Sequence, residues 1–445
     1  MSATAVTAAK KNIVVVGGGF AGTTLARALE RRLPAGHRVV LVSEESYTTF
    51  NPMLAEVVGA SVFPEHVVAP IRQMLNRARG SQFIMGRVTD VDIDQRLVTM
   101  STLAGRHQLG YEHLVFAFGT RAHLDLVPGM AQHALPLKLV GDAMHIRNRV
   151  LQRIARIELE GDPGVRRRLG HFIVIGGGFS GVEVAGELAD FLRGILRFYP
   201  RVDRDELKVT LLQDAQRLLP ELPESLGRAA ARSLESRGVD TQVGARAAHI
   251  DADGVTLADK RRIAGNTVVC TIGTRPNPLV ERLGLALQRG RIETEPDLSV
   301  RGARGVWAIG DCALVHNAAS NAYAPPTAQF AIAEARTLAQ NIAAKVAGKP
   351  TQAFAHRSRG MMATTGHLKG VAQVFGLRLT GLPAWLLWRA YYLTRMPTLG
   401  RKVRIWVEWT WSMFFAADIT HLRYTRTAEV DGDPAPLPDH PQFQP

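Results

Sequence analysis

Two cysteines in 445 residues, Cys270 and Cys312, are too few for a disulfide scaffold or a thiolate metal site, and no metal is expected. Neither has a second cysteine at CxxC or CxxxxC spacing, so dithiol redox enzymes are excluded, and the scarcity fits a reducing compartment. Long apolar runs are missing as well. No uninterrupted stretch reaches about 18 residues, which argues against a membrane-spanning helix. The N-terminal MSATAVTAAKKN has no apolar core and leads straight into a strand-like run, so no signal peptide is read. Acidic residues are outnumbered, 40 against 54 lysines and arginines, for a formal charge of +14. That excess suits nucleic acid, an anionic membrane or phosphate-rich small molecules. The rest is ordinary globular composition, 46% hydrophobic and 21% charged, in a chain long enough for two or three domains.

The chain then repeats itself. Residues 12–22 read NIVVVGGGFAG and residues 171–181 read HFIVIGGGFSG: an apolar β-branched run, three glycines, then helix formers. Each copy continues into an alternating stretch, 83–100 or 241–260, and closes on an apolar run ending in Gly-Thr, LVFAFGT at 114–120 or VVCTIGT at 268–274. This predicts an α/β fold of two Rossmann-like dinucleotide-binding domains, each with a small antiparallel meander. In the first meander Val88, Asp90, Asp92 and Asp94 alternate with Thr89, Val91 and Ile93, which puts Val88 and Val91 on opposite faces. The second unit reads as an insertion in the first, because GVWAIGD at 305–311 returns to a strand that would complete the first sheet. The boundaries follow as 1–135 and 281–355 for one domain, 136–280 for the other, and 356–445 for a C-terminal segment.

The glycine trios are Gly17, Gly19 and Gly22 in one copy and Gly176, Gly178 and Gly181 in the other. In GxGxxG the first glycine makes the tight strand-to-helix turn, the second lets backbone approach a pyrophosphate, and the third lets helix and strand pack closely. The helix start, at Phe20 and Ala21 or at Phe179, then offers free N–H groups to the anion. Ordinary tight turns are the bland alternative, and two copies each after an apolar run argue against it. The first copy is expected to hold FAD. Glu44, at the end of RVVLVSEES, is placed on the adenosine ribose, with Ser43 as competitor. Asp311, after Gly310 in AIGDCA, can accept from a ribitol hydroxyl or cap a helix. The second copy is expected to take NADH or NADPH. Its second strand ends at Gln213, where an NAD site carries an acid that repels the 2′-phosphate of NADPH. NADH is placed ahead because no arginine follows the strand immediately.

Six stretches carry a family resemblance: VVVGGGFAG with Tyr47-Thr-Thr-Phe50-Asn51-Pro52, IGGGFSGVEVAGEL at 175–188, TIGTRPNP at 271–278, AIGDCA at 308–313, PPTAQFA at 325–331 and GLPAWLLWRAYYL at 381–393. They resemble the type II NADH dehydrogenases, single-subunit flavoproteins with two dinucleotide-binding domains, over roughly residues 11–425. The resemblance implies hydride transfer from NADH to FAD, then electron release to a quinone without proton pumping. It places Glu183 near the nicotinamide and flavin, and Ala328 and Gln329 beside the isoalloxazine at the quinone entrance. The same carry-over adds Asn51, Val88, Gly119 and Thr120 to the FAD set and Gly273 to the nicotinamide set. Plainer roles are a buried helix carboxylate for Glu183 and a polar residue near a helix start for Gln329. One departure stands out: Ala333 occupies the position, one turn after Gln329, where the family usually has a second glutamine.

Five of six tryptophans fall within 385–411, interleaved with Arg389, Arg395, Arg401, Lys402 and Arg404 against a single acid, Glu408. Such a mixture suits a bilayer headgroup region. Leu382, Trp385, Leu386 and Arg389 follow helical spacing, an apolar stripe with its charge at the margin. Residues 381–417 are therefore expected to lie as amphipathic helices on the cytoplasmic face of the cell membrane, as a peripheral anchor. Truncation after about residue 356 would then free the chain from membranes and leave flavin bound. A helix pair packed on the body or in a homodimer is the alternative, and nucleic acid is set aside for want of a binding motif. Two other functions compete: a flavoprotein reductase of a soluble redox protein, and a nucleotide-binding redox sensor.

Overall fold

The computed structural model describes residues 10–76, 80–415 and 417–422. Residues 1–9, read above for a signal, and 423–445, the end of the C-terminal segment, lie outside the described residues. The chain enters through β1 (Lys11–Val16), whose last four side chains are buried, and turns through the glycines into α1 (Phe20–Glu30). Then come β2 (His37–Ser43), the short α2 (Leu54–Val58), the long β3 (Gln82–Asp92), β4 (Leu97–Thr102), β5 (Gly105–Gly110) and β6 (His113–Phe116). Runs of Val, Ile and Leu buried on both faces are what a covered parallel sheet requires.

The second unit runs through β7 (Ala134–Pro136), α3 (Val140–Ile157), β8 (His171–Ile175), α4 (Phe179–Ile195), β9 (Lys208–Gln213), β10 (Val239–Val243) and β11 (Thr267–Cys270). Its sheet is all parallel, in the order β7-β11-β8-β9-β10. The chain then returns as β12 (Val306–Ala308), which pairs with β6 and closes the first sheet in the order β12-β6-β1-β2-β3-β4-β5. Both copies thus place a Gly-rich turn at the carboxyl edge of a parallel sheet, where open α/β sheets bind ligands. The closing Gly-Thr segments meet: Thr120–Ala122 pairs antiparallel with Thr274–Pro276.

One expectation fails locally. A bulge between Val88 and Asp90 inserts a residue into the β3–β4 ladder. The extra residue resets the alternation, so Val88 and Val91 both enter the core instead of facing opposite ways.

After α6 — counting α5 as Glu224–Glu235 and α6 as Ala328–Val346 — the chain forms an antiparallel meander of β13 (Gly360–Thr364), β14 (Gly370–Val374) and β15 (Leu377–Thr380). Two helices follow, α7 (Leu382–Arg395) and α8 (Leu399–Trp411). They correct the simple anchor picture. Trp385, Trp388 and Trp409 are buried within the body, while Trp406 and Trp411 are 58% and 59% exposed. The expected stripe splits: Leu382 and Leu386 face out, Trp385 faces in, and the Arg389 guanidinium lies 3.7 Å from the Trp385 ring and 4.8 Å from the Trp409 ring. Those two rings give a planar cation a better seat than a helix margin does. One apolar cluster joins Phe50, Met53 and Val57 of the first unit to Val182 and Leu188 of the second and to Trp388 and Trp409. The C-terminal helices are thus part of the apolar core that the two units share.

Candidate functional site

Each glycine trio forms a cradle. Gly17 and Gly176 sit at φ +118° and +111°, a conformation that side chains resist. A Cβ at Gly22 would run into the Gly17 carbonyl oxygen, and one at Gly181 into that of Gly176. Gly19 and Gly178 differ: a Cβ on either would meet nothing within 4 Å. Both are the N-caps of their helices, α1 and α4, and neither helix start has a side-chain cap. Open space before unpaired N–H groups is what a pyrophosphate needs, so the residues present fit two dinucleotides.

Between the two units lies a cavity of about 150 Å³ whose wall includes Asn51, Ala122, Lys138, Glu183, Cys270 and Gly273. The structure thus brings together Asn51, Glu183 and Gly273, three residues separated by more than a hundred positions at their extremes. The Lys138 ammonium lies 3.3 Å from Thr120 Oγ1, so Thr120 adjoins it, and Gly119 precedes that strand pair. The Glu183 side chain is buried, and the Thr364 N–H and the Trp388 indole both donate to its Oε1, each at 3.2 Å. Burial, helped by the neighbouring Glu56 and Glu187 charges, pushes its carboxyl up to about 8. With Oε1 accepting twice, Oε2 is the oxygen left to carry a proton.

At the other side of the first cradle, Gly310 packs against Ala21, and Asp311 lies in a short turn over Gly310–Cys312. The Gly310 N–H donates to Glu334 Oε2 at 2.7 Å, and burial pushes Glu334 up to about 7. Ala328 and Gln329 open α6 behind Thr327. The Gln329 amide donates to Nε2 of His356 at 3.3 Å, and burial, with the nearby Arg359 and Arg336 charges, lowers the pKa of that imidazole. Ala333 packs on the core.

The other residues picked from sequence do not line that cavity. Glu44 is half exposed and paired with Arg87 at 3.0 Å and Arg121 at 2.7 Å. Val88 is buried in β3. Phe20 meets Phe50 edge-on at 5.5 Å, and Phe179 packs partly buried at the start of α4. Gln213 turns inward, its Oε1 accepting from the Gly177 N–H at 2.8 Å, so its two amide hydrogens are the groups left over. Burial pushes Cys270 and Cys312 up to about 12, so each stays a thiol. Among the described residues no His, Cys, Asp and Glu cluster suits a metal.

Sequence reasoning missed Glu56, Glu187, Arg389, Trp388, Trp409 and Lys138. Glu187 carries a sign in the sequence, one turn after Glu183 on the same face of an otherwise apolar helix. Glu56 interrupts the apolar run LAEVV. Neither position reveals its partners, which come from chain more than 100 residues away.

Residues 11–335 match the pyridine nucleotide-disulphide oxidoreductase family. The type II NADH:quinone oxidoreductase Ndh of Mycobacterium tuberculosis is 30% identical to this chain, the match covering 90% of this chain and 88% of that one. The internal alternative NAD(P)H-ubiquinone oxidoreductase A1 of Solanum tuberosum mitochondria is 28% identical, over 93% of this chain and 88% of its own. The solved structure of NDH2 from Plasmodium falciparum in complex with NADH shares the fold, with a TM-score of 0.85 at 17% identity, covering 92% of this chain and 100% of that one. With its two open cradles and the match running nearly end to end, the chain belongs to the pyridine nucleotide-disulphide oxidoreductases and, within them, to the type II NADH:quinone oxidoreductases.

Proposed function

We infer that the protein is an FAD-dependent oxidoreductase that takes hydride from NADH and passes the electrons to a membrane quinone without pumping protons. The observation that carries the reading is the pair of uncapped helix starts at Gly19 and Gly178, whose units join at the strand pair beside a cavity holding Glu183. When bound, the flavin and the dihydronicotinamide supply the hydride chemistry itself.

The chain's residues hold, orient and shield. The first cradle, with Asp311 and Asn51, holds FAD, and Gln329 and Ala328 at the start of α6 border the quinone side. The second cradle, with Gly273, holds NADH. Glu183, protonated at neutral pH, keeps a donor on Oε2 at the cavity wall without placing a negative charge there. Lys138 supplies a positive charge on the same wall. Trp388 and the apolar side chains of α2 exclude water, which strengthens each of these interactions.

Gln213 puts no carboxylate of its own before a 2′-phosphate, although Asp214 follows it, and its amide hydrogens suit an acceptor. NADPH is therefore oxidised too, behind NADH. At the surface α8 exposes Val403, Trp406, Val407 and Trp411, followed by Phe414 and Phe415, with Lys402 and Arg404 on the same helix. That face rests on the membrane, on its cytoplasmic side, where NADH is available and quinone is dissolved in the adjoining bilayer. No helix of the described residues is long and apolar enough to cross a membrane. A second copy covering the same aromatics is the alternative use of that face. NADH consumption by the detergent-purified protein, with and without a short-chain quinone, tests the function. Consumption that ignores quinone would contradict it, and NADPH in parallel sets the nucleotide preference.

A further inference from the structure

The amide of Gln329 has two unlike ends, and the protein engages one of them. Its Nε2 lies 3.3 Å from Nε2 of His356. An amide nitrogen has no lone pair to offer, so it donates and the imidazole nitrogen accepts, which leaves Nδ1 to carry the ring proton. Among the described residues no protein group donates to the other end, Oε1. That oxygen is an acceptor left for a ligand.

His356 can hold the amide because its own place is fixed several times over. Residues 349–359 form neither helix nor strand, so side chains do the fixing. The His356 N–H donates to Asn317 Oδ1 and its carbonyl accepts from Asn317 Nδ2, both at 2.8 Å, and Asn317 is 2% exposed. The imidazole stacks on Phe354, with centroids 6.5 Å apart, and lies perpendicular to Phe330 at 5.2 Å. Both phenyl rings are buried, and the Phe354 N–H is tied to the Pro296 carbonyl at 2.8 Å. The charged groups facing the imidazole are Arg359 of its own segment and Arg336 of α6, and with burial they lower its pKa. A ring that ordinarily titrates near 6.5 therefore keeps its lone pair at neutral pH.

The free oxygen discriminates between oxidation states. A quinone offers two carbonyl oxygens, which accept hydrogen bonds and cannot donate them. The quinol formed from it, by gain of two electrons and two protons, offers two hydroxyls, which can donate. Gln329 Oε1 can bond to the second and not to the first. Ala333, one turn on along the same face, has no amide to donate instead. We propose that His356 is a positioning residue that turns the carbonyl oxygen of Gln329 to the quinone side, so that this site recognises the hydroxyl of the quinol in preference to the carbonyl of the quinone. This rests on the function proposed above. A bond that strengthens only as the hydroxyl forms favours the reduction itself over uptake of the quinone. Protonation of His356 reverses the arrangement: the imidazolium donates from Nε2, the amide turns its oxygen to it, and the NH₂ faces the quinone side.

The test uses the full FAD-loaded chain in detergent, under anaerobic conditions, with a short-chain quinone as substrate and the matching quinol as product inhibitor. His356→Phe keeps the aromatic packing and removes the acceptor. His356→Gln keeps an acceptor oxygen near the place of Nε2 and cannot titrate. At mildly alkaline pH the quinol inhibition constant is expected to rise by roughly two- to tenfold in His356→Phe, what one neutral hydrogen bond contributes. The KM for quinone and flavin bleaching by NADH should stay near wild type, and His356→Gln should hold quinol as wild type does. Gln329→Ala should weaken quinol to the same extent, and His356→Phe added to it should change nothing more, as for two residues acting through one contact. As the pH falls and His356 gains its proton, wild type should approach His356→Phe while His356→Gln stays level. A quinol constant that His356→Phe leaves unchanged, or additive effects of the two substitutions, overturn the proposal. If His356→Phe is recovered without flavin, His356→Gln carries the test, and a pH profile that superposes on wild type overturns it. Wild-type flavin that NADH bleaches and quinone cannot restore would instead sink the functional reading.

Discussion

At Gly19 and Gly178 an alanine would meet no protein atom within 4 Å, and both residues have ordinary negative φ. The fold has no objection to a methyl there, and a pyrophosphate does. Gly19→Ala should therefore melt with an unaltered apoprotein midpoint but lose at least about 1.4 kcal/mol of FAD binding, a factor of ten. Gly178→Ala should stay yellow and raise the KM for NADH. Flavin absorbance and steady-state kinetics check the pair, and equal effects from both would contradict separate sites. Glu183 gives a pH signature. Its carboxyl ionises near the ordinary range when unfolded but only near 8 when folded, so the native state keeps a proton the unfolded state has lost. Stability is full below the ordinary carboxyl range and falls as pH rises toward 8, by about 1.4 kcal/mol per unit at most. Glu183→Gln should flatten part of that fall in thermal unfolding. The glycines were legible because their spacing is local, whereas Glu183 came only from the family resemblance; the indole and backbone donors to Glu183 come from Trp388 and Thr364, and no local pattern announces them.

The element scale is where the sequence reading bent. Helical spacing marked α7, and tryptophans among basic residues marked the stretch of α8, but neither says which face goes inward. Trp388 donates to Glu183, Trp409 donates to Glu56, and Leu386 and Trp406 look out. Removal of residues 356 onward should accordingly do more than release an anchor. It strips the donors from Glu183 and Glu56 and uncovers the Phe50–Val182–Leu188 cluster. We expect the truncated chain to unfold at a lower temperature and to lose NADH-dependent flavin bleaching. A truncation that is bleached at the wild-type rate would show that these helices do not shape the site. The β3 bulge teaches the same lesson on a smaller scale: alternation read along Val88–Val91 is correct until one inserted residue resets it.

For the whole molecule, the duplication was visible in the sequence because two glycine-rich turns and two Gly-Thr closures recur at matching intervals, and the sheets follow that plan. What the interval could not reveal is that the copies share an apolar core with the C-terminal helices. The outer face of α8 should bind anionic vesicles. Replacing Trp406, Trp411 and Phe414 with alanine should release the protein in a sedimentation assay while its flavin spectrum stays unchanged, and co-sedimentation of that variant would contradict membrane docking by this face. The central claim, that two nucleotides meet so that electrons pass from NADH through flavin to quinone, is tested most directly by anaerobic stopped-flow absorbance. NADH should bleach the bound flavin rapidly, and a short-chain quinone mixed in next should restore the yellow colour. A flavin that NADH leaves oxidised, or that quinone leaves bleached, would contradict the account.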